Sequence, residues 1–185
     1  GIPYERYDAS AKWLTRLLEP SVVALAVPLY RNLPALRRGW RRILRACVVG
    51  TLGAMGLTVL VNLVLRASRE VALSTLPKSV TTPIALAITG EIHGTAALTA
   101  VSVIVAGVVG AALGPSLLDR FGVTSPGARG LAMGAAAHAL GTARIGEESD
   151  EARAHSSVAL VLCGVLTAVT APVVARVLEA VWPWP

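Results

Sequence analysis

The most chemically suggestive stretch of the sequence is residues 77–83, in which a lysine and three hydroxyl side chains lie between two prolines. The residue before a proline avoids the α conformation, and proline suits the first position of a helix. We therefore expect Thr82 to cap a helix that begins at Pro83. The free N–H groups and positive dipole end of this helix would favour a small anion. The candidate anion-binding residues are Lys78, Ser79, Thr81 and Thr82.

A second stretch, residues 138–144, carries polar side chains that complement the first. On a helix, His138 and Thr142 share a face because they are four positions apart. Both could donate hydrogen bonds to a carboxylate, and His138 could also carry a proton near neutral pH. Arg144 at the end of this stretch completes the predicted site.

Each of these residues also has a structural interpretation that the sequence leaves open. A lysine inside a membrane costs at least about 2.5 kcal/mol and usually has a role or a partner, but Lys78 could extend its ammonium to the interface instead. His138 could be a buried histidine that bonds a backbone carbonyl. We expect no metal or other cofactor and no enzyme activity, because neither stretch shows metal-ligand spacing or a nucleophile paired with a base.

The composition places these stretches in a membrane. Of the 185 residues, 54% are hydrophobic and only 15% are charged, against roughly 25% charged in typical soluble domains. The mean hydropathy is +0.64. We expect an all-α, polytopic transmembrane helical bundle in contact with the lipid bilayer.

Two of the apolar segments are too short to span a bilayer. Short segments 79–90 and 130–143 alternate with segments long enough to cross, which suggests an internal repeat. Paired short segments with glycine or proline are a sequence sign of a transporter binding site built from broken or re-entrant half-helices; kinked packing helices are the alternative. The six segments are 13–30, 46–65, 79–90, 95–118, 130–143 and 156–175.

The charged residues predict the orientation of the chain. Six arginines lie within residues 31–45, so we expect a cytoplasmic loop there and residues 1–12 on the other side. The acidic stretch 147–151 is expected to be a solvated loop. The net charge of +6 follows this clustering beside apolar spans, and no basic stripe with interleaved aromatics suggests nucleic acid.

Several stretches of the sequence resemble the LrgB/CidB family. The run Pro77-Lys78-Ser79-Val80-Thr81-Thr82-Pro83-Ile84-Ala85 is similar to its first signature, and residues 128–143 are similar to its second, with Ala137 at the small position before His138. The resemblance extends over 1–185 as one integral membrane domain. Members of the family usually carry a further N-terminal apolar stretch, so we expect a span to be missing here.

The resemblance implies two functions. Relatives in bacteria are described as antiholin-like proteins that modulate murein hydrolase activity and autolysis beside a small holin-like partner of the LrgA/CidA type. A plant relative is a plastid glycolate/glycerate translocator, and bacterial relatives are tied to pyruvate. The residues favour a carrier for small monocarboxylates in the bacterial inner membrane. An antiholin-like role would need oligomer faces, for which Gly50, Gly53, Gly56, Gly110 and Gly114 are candidates, and we expect a homo-oligomer.

Overall fold

The structure, a computed structural model, describes residues 33–182 continuously and five isolated positions before them (16, 20, 23, 27 and 30). The predicted span 13–30 and the tail 1–12 otherwise lie outside the described residues. Within 33–182 the chain forms six helices and no strand. The helices are α1 Leu33–Val64, α2 Arg69–Thr75, α3 Thr82–Glu91, α4 Ala96–Arg120, α5 Pro126–Ile145 and α6 Asp150–Val181.

Three of these helices are long and apolar enough to cross a membrane: Gly39–Val64 within α1, Ala96–Arg120 (α4) and Asp150–Val181 (α6). They contain the predicted spans 46–65, 95–118 and 156–175 almost entirely. Their outward faces carry large apolar side chains that are about half exposed, such as Val101, Val109 and Val169. A bilayer is the environment in which such faces are stable. The prediction of an all-α membrane bundle is confirmed.

The prediction of a loop over residues 31–45 was wrong for most of its length. Helix α1 begins at Leu33 and continues through this region, with non-helical dihedral angles only at Gly39 (φ −131°, ψ 18°). Arginine is a good helix former, and the side chains of Arg37, Arg41 and Arg45 lie on exposed positions of α1. The cluster of arginines therefore extends one end of a span as helix.

The first short segment, 79–90, forms one side of a hairpin of two helices, here called hairpin 1, which comprises α2, the loop 76–81 and α3. Its two ends meet, since the hydroxyl of Thr95 after α3 donates a hydrogen bond to Glu70 at the start of α2. The backbone N–H of Thr95 also donates to the Ser74 hydroxyl at 2.8 Å. Helix α3 has ten residues, about 15 Å of length, which is roughly half of a ~30 Å hydrocarbon layer. The loop 76–81 therefore lies near the middle of the bundle.

The second short segment is also a hairpin. Helix α5 is broken at Ala137 and His138, and His138 has φ 41° and ψ −131°. The two arms of this hairpin 2, residues 126–136 and 139–145, pack side by side, because Ile145 lies in one apolar cluster with Met133. At the base, Arg129 near the start of α5 bonds Glu148 beyond its end at 2.8 Å. The prediction of two broken or re-entrant half-helices is confirmed.

The two hairpins enter the bundle from opposite ends. Arg69 at the base of hairpin 1 pairs with Glu179 near the end of α6, whereas Arg129 at the base of hairpin 2 bonds Asp119 at the end of α4. Because α4 starts beside hairpin 1 and has 25 residues, about 37 Å, the two bases are a membrane thickness apart. The chain thus contains two similar units, α1 with hairpin 1 and α4 with hairpin 2, which run in opposite directions across the bundle. Transporters built from inverted repeats have this arrangement.

Small residues let hairpin 2 pack tightly into the bundle. A Cβ added at Gly130 or Gly134 would collide with the backbone of α6, and one added at Gly110 would come within 2.5 Å of the Ala137 Cβ. Gly114 likewise faces the Met133 side chain. The prediction that Gly110 and Gly114 form oligomer faces was thus wrong, because α5 of the same chain packs against both glycines. Among the other glycine candidates, Gly50 faces the Ala135 Cβ, while Gly53 and Gly56 face open space.

The acidic stretch 147–151 is only partly the solvated loop that was predicted. Asp150 and Glu151 form the first turn of α6, where the helix dipole favours negative charge. The Ser149 side chain caps that helix by accepting a hydrogen bond from Ala152 N at 3.1 Å. Glu148 binds Arg129. These residues therefore anchor the base of hairpin 2 to α6.

Candidate functional site

The loop of hairpin 1 carries the first set of predicted site residues. Two turn hydrogen bonds shape it, from Lys78 N to Thr75 O at 3.2 Å and from Val80 N to Pro77 O at 3.3 Å. The helix cap is Thr81 (φ −65°, ψ 149°), so the prediction that Thr82 caps a helix beginning at Pro83 was wrong by one residue. Proline is tolerated throughout the first turn, because the N–H groups there have no partner within the helix.

The N-terminus of α3 has polar groups without partners, as an anion site requires. The Thr81 side chain makes no capping hydrogen bond, and its hydroxyl is buried without a partner in the part of the chain that the structure describes. A buried hydroxyl that is left unpaired costs about 1–3 kcal/mol. This end of α3 combines such a hydroxyl with the positive end of the helix dipole, and Thr82 is the first residue of the helix.

Lys78 lies half-buried in the same loop and points towards α1. Its Nζ donates a hydrogen bond to the Thr58 hydroxyl at 2.6 Å, and Thr58 itself is only 5% exposed. The ammonium is therefore held inside the bundle and does not extend to the surface. Among residues 33–182, no carboxylate forms an ion pair with it. Within the part of the chain that the structure describes, the ammonium has a neutral hydroxyl as its partner, which leaves its charge available to an anion.

The loop of hairpin 1 faces hairpin 2 across a small enclosed cavity. The cavity has a volume of about 10 Å³, close to the minimum that holds one water molecule. A whole carboxylate does not fit, so the structure shows a closed arrangement of the two hairpins. The cavity is lined by Thr51, Ala54 and Met55 of α1, Leu76, Ser79 and Val80 of hairpin 1, Ala135 of hairpin 2, and Cys163 and Thr167 of α6.

His138 lies at the tip of hairpin 2 but already has a partner. Its Nε2 is 3.0 Å from the Val103 carbonyl oxygen of α4, and its ring fills the space that a Cβ at Gly107 would take. The structure thus matches the interpretation of a buried histidine bonded to a backbone carbonyl. The tip is close to hairpin 1 nonetheless, because Ala135, two residues before the break, lines the same cavity as Ser79 and Val80.

The remaining two predicted residues lie in the second arm of hairpin 2. The Thr142 hydroxyl donates to the His138 carbonyl and lies 2.8 Å from the Ser156 hydroxyl of α6. Arg144 pairs with Glu147 at 3.3 Å, and its side chain is 40% exposed. The structure therefore places Lys78, Ser79, Thr81 and Thr82 along one loop and the start of α3, with the Lys78 ammonium turned towards α1. His138 and Thr142 hold hairpin 2 in place, and Arg144 lies at the exposed end of α5.

Sequence reasoning missed two hydroxyl residues at the cavity, Thr51 and Thr167. Both are buried, and both contribute to the cavity wall. Each is an isolated hydroxyl residue among apolar neighbours in a span, a pattern that many membrane helices show. The signal that identifies them is their position opposite Ser79. The structure holds no group of three or more potential metal ligands among the residues it describes.

Comparison with known proteins shows the family to which the chain belongs. The model of the LrgB-like family matches residues 1–177. A curated protein of Haemophilus influenzae, named only as uncharacterized, is 40% identical over 177 residues, which cover 96% of this chain and 77% of that protein. No solved structure matches the chain. The broad match to the family model and the 40% identity lead to one conclusion: the chain belongs to the LrgB-like family of membrane proteins.

Proposed function

We propose that this protein is a membrane carrier for small monocarboxylates such as glycolate, glycerate or pyruvate. The observation that supports the proposal most strongly is the Lys78 ammonium, held inside the bundle with a neutral hydroxyl as its partner. A membrane protein keeps an uncompensated interior charge at a cost in stability. An anionic substrate would supply the missing negative charge.

The α3 N-terminus provides the second half of the anion site. Its free N–H groups, the unpaired Thr81 hydroxyl and the neighbouring hydroxyls of Ser79 and Thr82 can donate hydrogen bonds to both carboxylate oxygens. Lys78 reaches this region when its flexible stem turns away from Thr58. We therefore assign substrate binding to Lys78, Ser79, Thr81 and Thr82.

Hairpin 2 forms the opposite wall of the proposed site. Ala135 borders the cavity, and His138 fixes the tip through its bond to the Val103 carbonyl. In this proposal His138 and Thr142 position hairpin 2 and do not touch the carboxylate. Because the two hairpins enter from opposite ends, outward movement of either one would open the cavity to its own side, as alternating access requires.

The cell membrane of a bacterium is the proposed location, with the arginine-rich end of α1 in the cytoplasm. This end carries Arg37, Arg41, Arg42 and Arg45 on exposed positions, and such clusters are retained on the cytoplasmic side. Hairpin 2 would then enter from the cytoplasm, because its base lies at the end of the bundle where α1 begins. Hairpin 1 would enter from outside.

An antiholin-like role with a small holin-like partner is the second candidate function. The observation that favours it is the open face of α1, where Gly53 and Gly56 have no neighbour within 4 Å of an added Cβ. Exposed leucines flank these glycines, and small residues beside large apolar ones allow close helix association in membranes. This face could bind a holin-like protein or a second copy of the chain.

Uptake into proteoliposomes tests the carrier function and separates it from the alternative. The purified protein is reconstituted alone and with an LrgA/CidA-type partner, and radiolabelled glycolate and pyruvate uptake is compared with protein-free vesicles. A carrier accumulates label that excess unlabelled substrate exchanges out. Absence of exchange in both preparations would exclude the carrier function. Leucine substitutions at Gly53 and Gly56 that change lysis but not uptake would support the second role.

A further inference from the structure

The cavity between the hairpins has an arrangement of hydroxyl groups that the anion site does not use. The Thr51 hydroxyl is buried, and its one partner in the described chain is the Cys163 thiol, a weakly hydrogen-bonding group. The Thr167 hydroxyl lines the same cavity and makes no hydrogen bond within residues 33–182. Both side chains are only 4% exposed.

Most other interior hydroxyls of the bundle are paired. Thr89 lies 2.8 Å from Thr99, and Thr99 also donates to the Ser74 carbonyl at 2.9 Å. Thr142 and Ser156 pair in hairpin 2 and α6. Buried polar groups are generally satisfied in proteins, so two hydroxyls that lack a strong partner at one cavity point to a ligand that pairs with them.

The size of the cavity limits the chemical group of the ligand that can enter it. A volume of about 10 Å³ accepts one group the size of a water oxygen. The cavity borders Val80, the residue before the Thr81 cap. A substrate whose carboxylate lies at the α3 N-terminus would thus place its neighbouring carbon against the cavity, and an oxygen on that carbon would enter it.

We infer that Thr51 and Thr167 form a subsite for a second oxygen of the substrate, on the carbon next to the carboxylate. The proposed substrates all carry an oxygen on this carbon, and the two threonines are the residues that recognise it. A hydroxyl substituent donates to one threonine and accepts from the other, whereas a keto oxygen accepts from both. A plain carboxylate leaves both threonines without a strong hydrogen-bond partner. This inference rests on the proposed carrier function.

The test compares glycolate with acetate, which lacks only the second oxygen. We expect the wild-type protein in proteoliposomes to transport glycolate with the lower KM. Thr51→Val and Thr167→Val preserve shape and remove the hydroxyl, so each should raise the KM for glycolate roughly tenfold and change that for acetate less than twofold. Thr170→Val is the matched control, because Thr170 lies one turn along α6 and bonds the Leu166 carbonyl.

The outcomes separate this inference from the proposed function. If the wild type transports neither anion, both fail. If it transports glycolate but the valine variants change glycolate and acetate equally, or change neither, the carrier function stands and the subsite is refuted. Thr51→Ser retains a hydroxyl and should keep the preference for glycolate. This variant shows whether an effect of Thr51→Val comes from the lost hydroxyl or from a general folding defect. Loss of the preference in Thr51→Ser with normal folding would also contradict the inference.

Discussion

Replacement of Lys78 by methionine should weaken substrate binding and stabilise the protein at the same time. Methionine keeps the length of the side chain and removes its charge. A hydrogen bond between a charged donor and acceptor contributes about 1.5–3 kcal/mol, so we expect the KM for glycolate to rise about 10- to 150-fold. The Thr58 hydroxyl loses its lysine donor but still donates to the Ala54 carbonyl at 2.7 Å, so no new unsatisfied group arises there.

The expected stabilisation follows from the cost of an interior ammonium. A lysine at the centre of a membrane helix costs about 2.5–3.5 kcal/mol. Lys78 is half-buried and bonded to Thr58, so we expect Lys78→Met to recover about 1–2 kcal/mol and to raise the melting temperature by about 2–8 °C. A residue that serves the fold would show the opposite sign, because its loss destabilises.

The assay measures glycolate uptake kinetics in proteoliposomes and thermal melting in detergent on the same preparations. Arg144→Gln is the control, since this variant removes a cation whose side chain is 40% exposed and which pairs with Glu147. The KM of Arg144→Gln for glycolate should differ from that of the wild type by less than twofold. Uptake by Lys78→Met within twofold of wild type would refute the anion site. Lost uptake together with a lower melting temperature would show that Lys78 is structural.

Two further predictions concern the packing of hairpin 2. Gly110→Ala places a Cβ 2.5 Å from the Ala137 Cβ and should destabilise the protein by about 1–3 kcal/mol. Gly53→Ala, whose Cβ meets open space, should be neutral or slightly stabilising in the same melting assay. Equal effects of the two substitutions on the melting temperature would contradict the described α4–α5 contact. Arg129→Gln leaves Glu148 without its cation, and because the arginine side chain is only 11% exposed we expect a loss of about 2–4 kcal/mol and faster proteolysis at 146–149. Unchanged proteolysis would argue against Arg129 as the anchor of the hairpin base.

The sequence predicted the elements well wherever apolar length decided the structure. The spans 95–118 and 156–175 lie within α4 and α6, because a bilayer requires long apolar helices. The two short segments were recognised since each is too short to cross and begins after a proline. Composition thus predicted both the broken segments and their alternation with spans.

The sequence did not predict how the short segments fold back. The reversal of hairpin 2 depends on a positive φ at His138, a conformation that histidine visits uncommonly and that tertiary packing against Gly107 selects. Arg129 was omitted because the charge-free run began one residue later, yet its bond to Glu148 closes the hairpin. Such long-range contacts leave no local pattern in the chain.

Only the contiguous part of the candidate site was predicted, because the rest depends on long-range contacts. The loop residues Lys78 to Thr82 are contiguous, so their meeting follows from the sequence alone. Helical spacing placed His138 and Thr142 on one face, but the break at His138 interrupts that helix. Thr51 and Thr167 belong to distant spans, and only the packing of α1 against α6 brings them to one cavity.

The proposed carrier requires the two hairpin tips to meet where substrate binds, and cysteine crosslinking tests this requirement most directly. Ser79→Cys and Ala135→Cys, introduced after Cys47 and Cys163 are replaced by alanine, should be joined within a molecule by a short bifunctional thiol reagent, since both positions line the same small cavity. Ser79→Cys with Ala128→Cys, about 10 Å further along the helix, should not be joined. Glycolate at saturating concentration should slow the first reaction at least severalfold. Absence of that crosslink, or a rate that glycolate leaves unchanged, would contradict a carboxylate site between the hairpins.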